Sequence, residues 1–140
     1  MSKVAVVYWS GTGNTEKMAN KVVEGAKEGG ASADLFTAAE FSAEKMDSYE
    51  AVAFGCPSMG AEQLEDSEFE PMFIECEVKL KGKKIALFGS YGWGDGEWMR
   101  NWEENCRDCG AQLVCDCVIC NDAPDADAEA ACIAMGKALA

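Results

Sequence analysis

The chain contains no histidine among its 140 residues. That removes the usual general base at neutral pH and the commonest zinc ligand, and it leaves few routes to hydrolytic chemistry. Basic residues are also scarce: 12 Lys and Arg stand against 25 Asp and Glu, for a net charge of −13. Such a chain repels nucleic acid and anionic membranes, both of which attract cations, and suits a basic protein partner. No apolar run approaches the ~20 residues of a membrane helix. Nothing after Met1-Ser2-Lys3 reads as a charged-then-apolar leader, so the expectation is a cytoplasmic protein. The length suits one domain spanning residues 1–140.

Eight cysteines without a leader point to a reducing compartment, not a disulfide scaffold. Cys106-x-x-Cys109 and Cys117-x-x-Cys120 form a double pair with the look of a metal knuckle, but seven residues between the pairs is short for a zinc ribbon. Trp98, Trp102, Cys106 and Cys109 fall on one helical stripe that ends at Gly110, and Cys115 and Cys117 are expected to share one face of a strand. Packing is therefore the favoured use, with metal ligation the alternative.

The most informative stretch is Val4-Ala5-Val6-Val7-Tyr8-Trp9 followed by Ser10-Gly11-Thr12-Gly13-Asn14-Thr15. A continuous apolar run that ends in glycines and hydroxyls ahead of a helical pattern reads as a buried parallel strand turning into a helix N-terminus. Unpaired first-turn N–H groups and the helix dipole make that turn a phosphate site, with Ser10, Thr12, Asn14 and Thr15 as further donors. No Lys or Arg lies between Val4 and Glu16, which excludes a nucleoside-triphosphate loop. Glu16 stands where a dinucleotide fingerprint needs its third glycine.

Further on, helical spacing through Met18, Ala19, Val22, Val23 and Ala26 stops at Gly29-Gly30. Strands are expected at 33–37, 51–56, 84–89 and 111–119, and helices at 42–48, 68–79, 97–109 and 126–139. Five strands alternating with helices specify a doubly wound parallel sheet covered on both faces. An acidic pair after the first strand with an Asp ending the third would mark a response regulator, but Ser10-Gly11 and Cys56-Pro57 hold those places. A Cys-x5-Arg phosphatase loop is absent too.

Three segments, Tyr8 to Glu16, Gly55-Cys56-Pro57-Ser58-Met59-Gly60 and Leu87 to Gly94, resemble the flavodoxins, in particular the short-chain type of anaerobic fermenting bacteria. The resemblance runs the whole chain and implies strand order 2-1-3-4-5, which sets the loops after strands one, three and four side by side. It implies non-covalently bound FMN, with Ser10, Gly11, Thr12, Gly13, Asn14 and Thr15 on the phosphate and Trp9 flanking the ligand. Pro57 stands where some relatives carry a phosphate-binding Ser, and Ser58 follows it. Met59, Gly60, Ala61 and Glu62, together with Ser90, Tyr91, Gly92, Trp93 and Gly94, would hold the ring. Within that set Trp93 stacks on the isoalloxazine, the Gly60 peptide reorients toward N5 on reduction, and Glu62 accepts the N3–H. On residues alone, Trp93 could instead cover the sheet end, and Glu62 could be one more solvated acid beside Glu65, Asp66, Glu68 and Glu70.

The expected function is a low-potential one-electron carrier, not an enzyme, acting as a monomer between redox proteins with basic docking surfaces. Two other classes stay open. One is an FMN-dependent reductase of a small acceptor such as a quinone, although no second nucleotide fingerprint appears. The other is a cysteine-ligated metal protein.

Overall fold

The computed structural model describes residues 2–60 and 62–140. Its strands are β1 (Lys3–Tyr8), β2 (Ser32–Thr37), β3 (Ala51–Gly55), β4 (Lys84–Tyr91), β5 (Gln112–Leu113) and β6 (Val118–Asn121). The helices are α1 (Asn14–Glu28), α2 (Ala43–Met46), α3 (Phe69–Cys76), α4 (Glu97–Asp108) and α5 (Ala126–Leu139). The pairings among these strands are all parallel, in the order β2-β1-β3-β4-β5, with β6 continuing the β5 edge along β4.

The apolar runs explain the centre of the sheet. Val4 to Tyr8, Ala51 to Gly55 and Ile85 to Ser90 are buried throughout, as expected of strands covered on both faces. One face packs under α1 and α5 through Met18, Val22, Cys132 and Met135. The other packs under α2, α3 and α4 and is aromatic: Phe54 meets Phe73 edge-on at 5.0 Å, and Trp102 meets Phe69 at 5.4 Å and Phe73 at 5.5 Å. Helices α1 and α5 touch backbone to backbone. A Cβ on Gly25 would lie 1.9 Å from the Ile133 carbonyl oxygen, and one on Gly136 would lie 2.1 Å from that of Val22.

The structure corrects the expected fifth strand. Four residues, 114–117, separate Leu113 from Val118, whereas only 86 and 87 separate their β4 partners Ile85 and Phe88, so two residues are looped out. Cys115 lies in this bend and turns toward the α1/α5 face, while Cys117 packs toward α4. The two cysteines therefore do not share a face. β4 also runs two residues further than expected, so Ser90 and Tyr91 are strand residues.

Candidate functional site

β1, β3 and β4 all end at one edge of the sheet, and the chain after each forms a wall of the site. The first wall is the turn into α1. Gly13 adopts φ 96°, a conformation open to glycine, and its N–H donates to Ser10 Oγ at 3.0 Å. The first intrahelical bond runs from Lys17 N–H to the Gly13 carbonyl at 3.1 Å, so the N–H groups of Asn14, Thr15 and Glu16 have no partner within the helix. Fifteen residues of helix aim their dipole at this turn. Thr15 is buried, its hydroxyl 3.2 Å from Ser90 Oγ, and so joins α1 to β4 beneath the turn. Glu16, an acid in the first turn, is drawn aside by Tyr8, whose hydroxyl donates to it at 2.9 Å. Burial and then this carboxylate raise the Tyr8 pKa.

The second and third walls are laced together. Ser58 N–H donates to the Ser90 carbonyl at 3.1 Å, and Trp93 Nε1–H donates to the Gly60 carbonyl at 3.2 Å. Glu62, at φ 54°, reaches across to accept from Asp95 N–H at 3.2 Å and Trp98 N–H at 3.3 Å, which places its carboxylate at the N-terminus of α4. Gly94 leaves the room for this, since a Cβ there would lie 1.6 Å from Glu62 Oε1.

Between these walls lies a cavity of about 280 Å³ lined by Trp9, Gly11, Thr12, Asn14, Pro57, Ser58, Met59, Ser90, Tyr91, Gly92, Trp93 and Asp122. Ser10 and Gly13 line an adjoining cavity of about 380 Å³ that shares Trp9 and Gly11 with it. Gly60 sits beside Met59 on a third, smaller hollow. Ala61 lies outside the described residues. The sequence-predicted set is thus brought together at one sheet end, with Thr15, Glu62 and Gly94 arranged as supports around it. Trp93 is 56% exposed, against 2% for Trp98, which packs in the core as its helical stripe predicts.

Two residues escape the sequence reading. Asp122, at φ 57°, follows β6 and lines the cavity. The signal for it was the position itself, because the loop after the last strand shares the carboxyl edge at which ligands bind such sheets. Glu65 is not a solvated acid but is 5% exposed. Its carboxylate accepts from the N–H groups of Ser67, Glu68 and Phe69, each at 2.8 Å, and from the Ser67 hydroxyl. Burial opposes its charge, but these bonds prevail and lower its pKa.

The cysteines split between the two sheet faces. Cys106, Cys109 and Cys117 pack on the α3/α4 side, and Cys115, Cys120 and Cys132 on the α1/α5 side, so the double pair does not converge on one point. Burial pushes Cys106 and Cys132 up to about 12 and Cys120 to about 11, which disfavours the thiolate that a metal would need. Among the described residues the one trio of His, Cys, Asp or Glu with ligand atoms within 4.8 Å of one another is Glu62, Asp95 and Glu97, on the surface. No described helix is long and apolar enough to cross a membrane.

Comparison with known proteins gives a consistent result. A family profile described as Flavodoxin matches residues 6–136. The chain is 44% identical to the flavodoxin of Megasphaera elsdenii over 98% of both chains. It is 45% identical to that of Clostridium beijerinckii, covering 96% of this chain and 97% of the relative. The solution structure of two-electron reduced Megasphaera elsdenii flavodoxin superposes with a TM-score of 0.89 at 45% identity, covering 97% of each chain. With the sheet order, the lysine-free turn and the three converging loops, these matches show that the chain belongs to the flavodoxin family of FMN-binding electron carriers.

Proposed function

We propose that the protein is a low-potential, one-electron carrier that passes electrons between redox proteins with basic docking surfaces, acting as a cytoplasmic monomer without substrate chemistry of its own. FMN, when bound, supplies a ring that takes up and releases electrons singly. The chain supplies the binding, the orientation and the field.

One observation carries the reading: a phosphate-type turn free of lysine opens into the same cavity as an exposed indole and a half-buried tyrosine. The fit to FMN has a local test in Ser58. The residue is 4% exposed and its buried hydroxyl has no hydrogen-bond partner among the described residues, yet Ser58 borders that cavity. A buried hydroxyl left unpaired costs about 1–3 kcal/mol, which a polar ligand would relieve.

In this reading Ser10 to Thr15 hold the phosphate through N–H groups and hydroxyls, without a formal positive charge. Met59, Trp93 and Tyr91 present the apolar and aromatic surface on which the ring is held. Trp9 flanks it, Glu62 fixes the loop that carries Gly60, and Asp122 adds negative charge at the rim. A dipole-only phosphate site in a chain of net charge −13 leaves the field acidic, which disfavours a second electron on a bound group and attracts basic partners.

The test is the visible spectrum of the purified protein with the released cofactor identified. A yellow protein that releases FMN and can be reduced in two one-electron steps is expected. A colourless protein that takes up no FMN overturns the reading, and unaided turnover of a quinone with NAD(P)H assigns it to the reductases.

A further inference from the structure

We propose that the β6 edge, together with the groove between it and α5, receives a short extended segment of a redox partner, apolar where its centre faces α5 and basic at its two ends, as an added strand. This deepens the electron-carrier reading and rests on it.

The backbone provides the first argument. β6 pairs with β4 on one side, and no described strand covers the other. In a parallel ladder alternate residues direct both N–H and C=O to the same neighbour. Asp122 N–H donates inward to the Tyr91 carbonyl at 2.8 Å, so by alternation Ile119 and Asn121 present theirs outward. An exposed row of this kind is a template for another strand.

The groove decides which strand. Its volume is about 730 Å³, against about 280 Å³ for the site between the loops. Ala131, Ala134 and Met135 of α5 give it an apolar wall, and Asp116, Asp125 and Asp127 give it a negative rim, with no Lys or Arg among its lining residues. Ile119 beside it is 38% exposed. A second copy of this chain, with its own acidic edge and net charge of −13, would meet like charge here. Asp116 lies before β6, and Asp125 and Asp127 lie at the start of α5 beyond Asn121, so the acids flank the two ends of the groove. Alternate side chains of an added strand face α5, and a segment whose central α5-facing residues are apolar and whose terminal ones are basic meets complementary surface.

Length and position suit a carrier. Four residues of β6 span about 13 Å at ~3.3 Å each, so the added strand is short and its complex short-lived. The bend at residues 114–117 bounds it at one end, and Pro124 stands three residues beyond Asn121 at the other. The chain leaving β6 passes directly into Asp122, which lines the cavity between the loops. A partner held on this edge therefore sits beside the group that exchanges electrons.

The experiment uses the FMN-loaded full chain and a capped heptapeptide with lysine at positions 1 and 7, valine at 3 and 5, and threonine at 2, 4 and 6. Two controls carry methyl groups on alternate backbone nitrogens, in the two possible phases. The parent peptide should shift the amide signals of Ile119 and Asn121 saturably and slow their solvent exchange. One control should bind at least tenfold more weakly, while the other retains binding. Asp116→Asn combined with Asp127→Asn should weaken the parent severalfold and leave the flavin spectrum unchanged. Equal binding of all three peptides, shifts confined to other residues, or shifts that follow protein concentration alone with dimers in sedimentation would each overturn the proposal. A normal flavin spectrum without peptide binding overturns this proposal alone, whereas failure to bind FMN overturns the carrier reading.

Discussion

The Trp93 indole donates its N–H to the Gly60 carbonyl at 3.2 Å, which ties the loop after β4 to the loop after β3 across the mouth of the site. Gly60 meets this bond at φ 54°, and a Cβ built there would touch nothing within 4 Å. The requirement for glycine is conformational, not steric.

Gly60→Ala should therefore lower stability by about 1–2 kcal/mol, the usual cost of a left-handed conformation for a residue with a Cβ. Because that strain exists in the cofactor-free chain, it cancels from the affinity for oxidised FMN. Thermal melting of the cofactor-free protein should fall by several degrees while the FMN dissociation constant changes less than threefold. A large loss of affinity with unchanged melting would contradict this.

Glu65→Gln should destabilise the protein by about 1–2 kcal/mol at pH 7, because a charged acceptor of α3 N–H groups becomes neutral. The folded pKa of Glu65 lies below its ordinary value of 4.5, so its contribution is complete above that value and is lost as pH falls through the folded pKa. The gap between the two melting curves should close as the pH falls below 4.5. A gap that stayed constant would mean that packing, not charge, sets the effect.

FMN should bind at least about a hundredfold more tightly than riboflavin, since losing two or three charge-assisted bonds at ~1.5–3 kcal/mol each removes two or more decades at 1.4 kcal/mol per decade. Titration of the cofactor-free protein with both flavins measures the ratio. Equal affinities would show that the Ser10–Thr15 turn serves something else.

Electron transfer to a basic acceptor protein should slow at least tenfold between low salt and 0.5 M salt, as the Debye length contracts from tens of ångströms to about 4 Å. Stopped-flow rates at several ionic strengths measure it. A rate indifferent to salt would remove electrostatic docking.

Gly136→Ala should cost about 3 kcal/mol or more, since its Cβ would lie 2.1 Å from the Val22 carbonyl oxygen and 2.5 Å from Ala26 N, both rigid backbone atoms. The denaturation midpoint should drop without a change in slope.

What could be read in the sequence follows from what repeats along it. Val4 to Val7 and Ala51 to Phe54 are apolar at every position, so their central place in a parallel sheet was legible. The turn from Ser10 to Thr15 was legible because glycine and hydroxyls at a strand end have a direct physical use. The break at 114–117 was hidden because the excess is an even number of residues: Leu113 and Cys117 still share one face, and Val114 and Val118 the other. Alternation thus survives the interruption, and only Cys115 betrays it. Glu65 was missed because it is one of five acids from Glu62 to Glu70, and nothing local distinguishes the one that folds back onto α3.

The same even excess bears on how this chain can change length. Hydrogen bonding resumes in register on both sides of residues 114–117, from Val114 N–H to the Ile85 carbonyl and again from Val118 opposite Phe88. Residues added at the exposed Asp116 would enlarge a loop that already exists, and each doubling of a flexible loop adds only about 0.6 kcal/mol of closure entropy. A short epitope or a small folded module inserted after Asp116 would therefore leave β4 and the three loops undisturbed, which makes this bend a natural point for grafting.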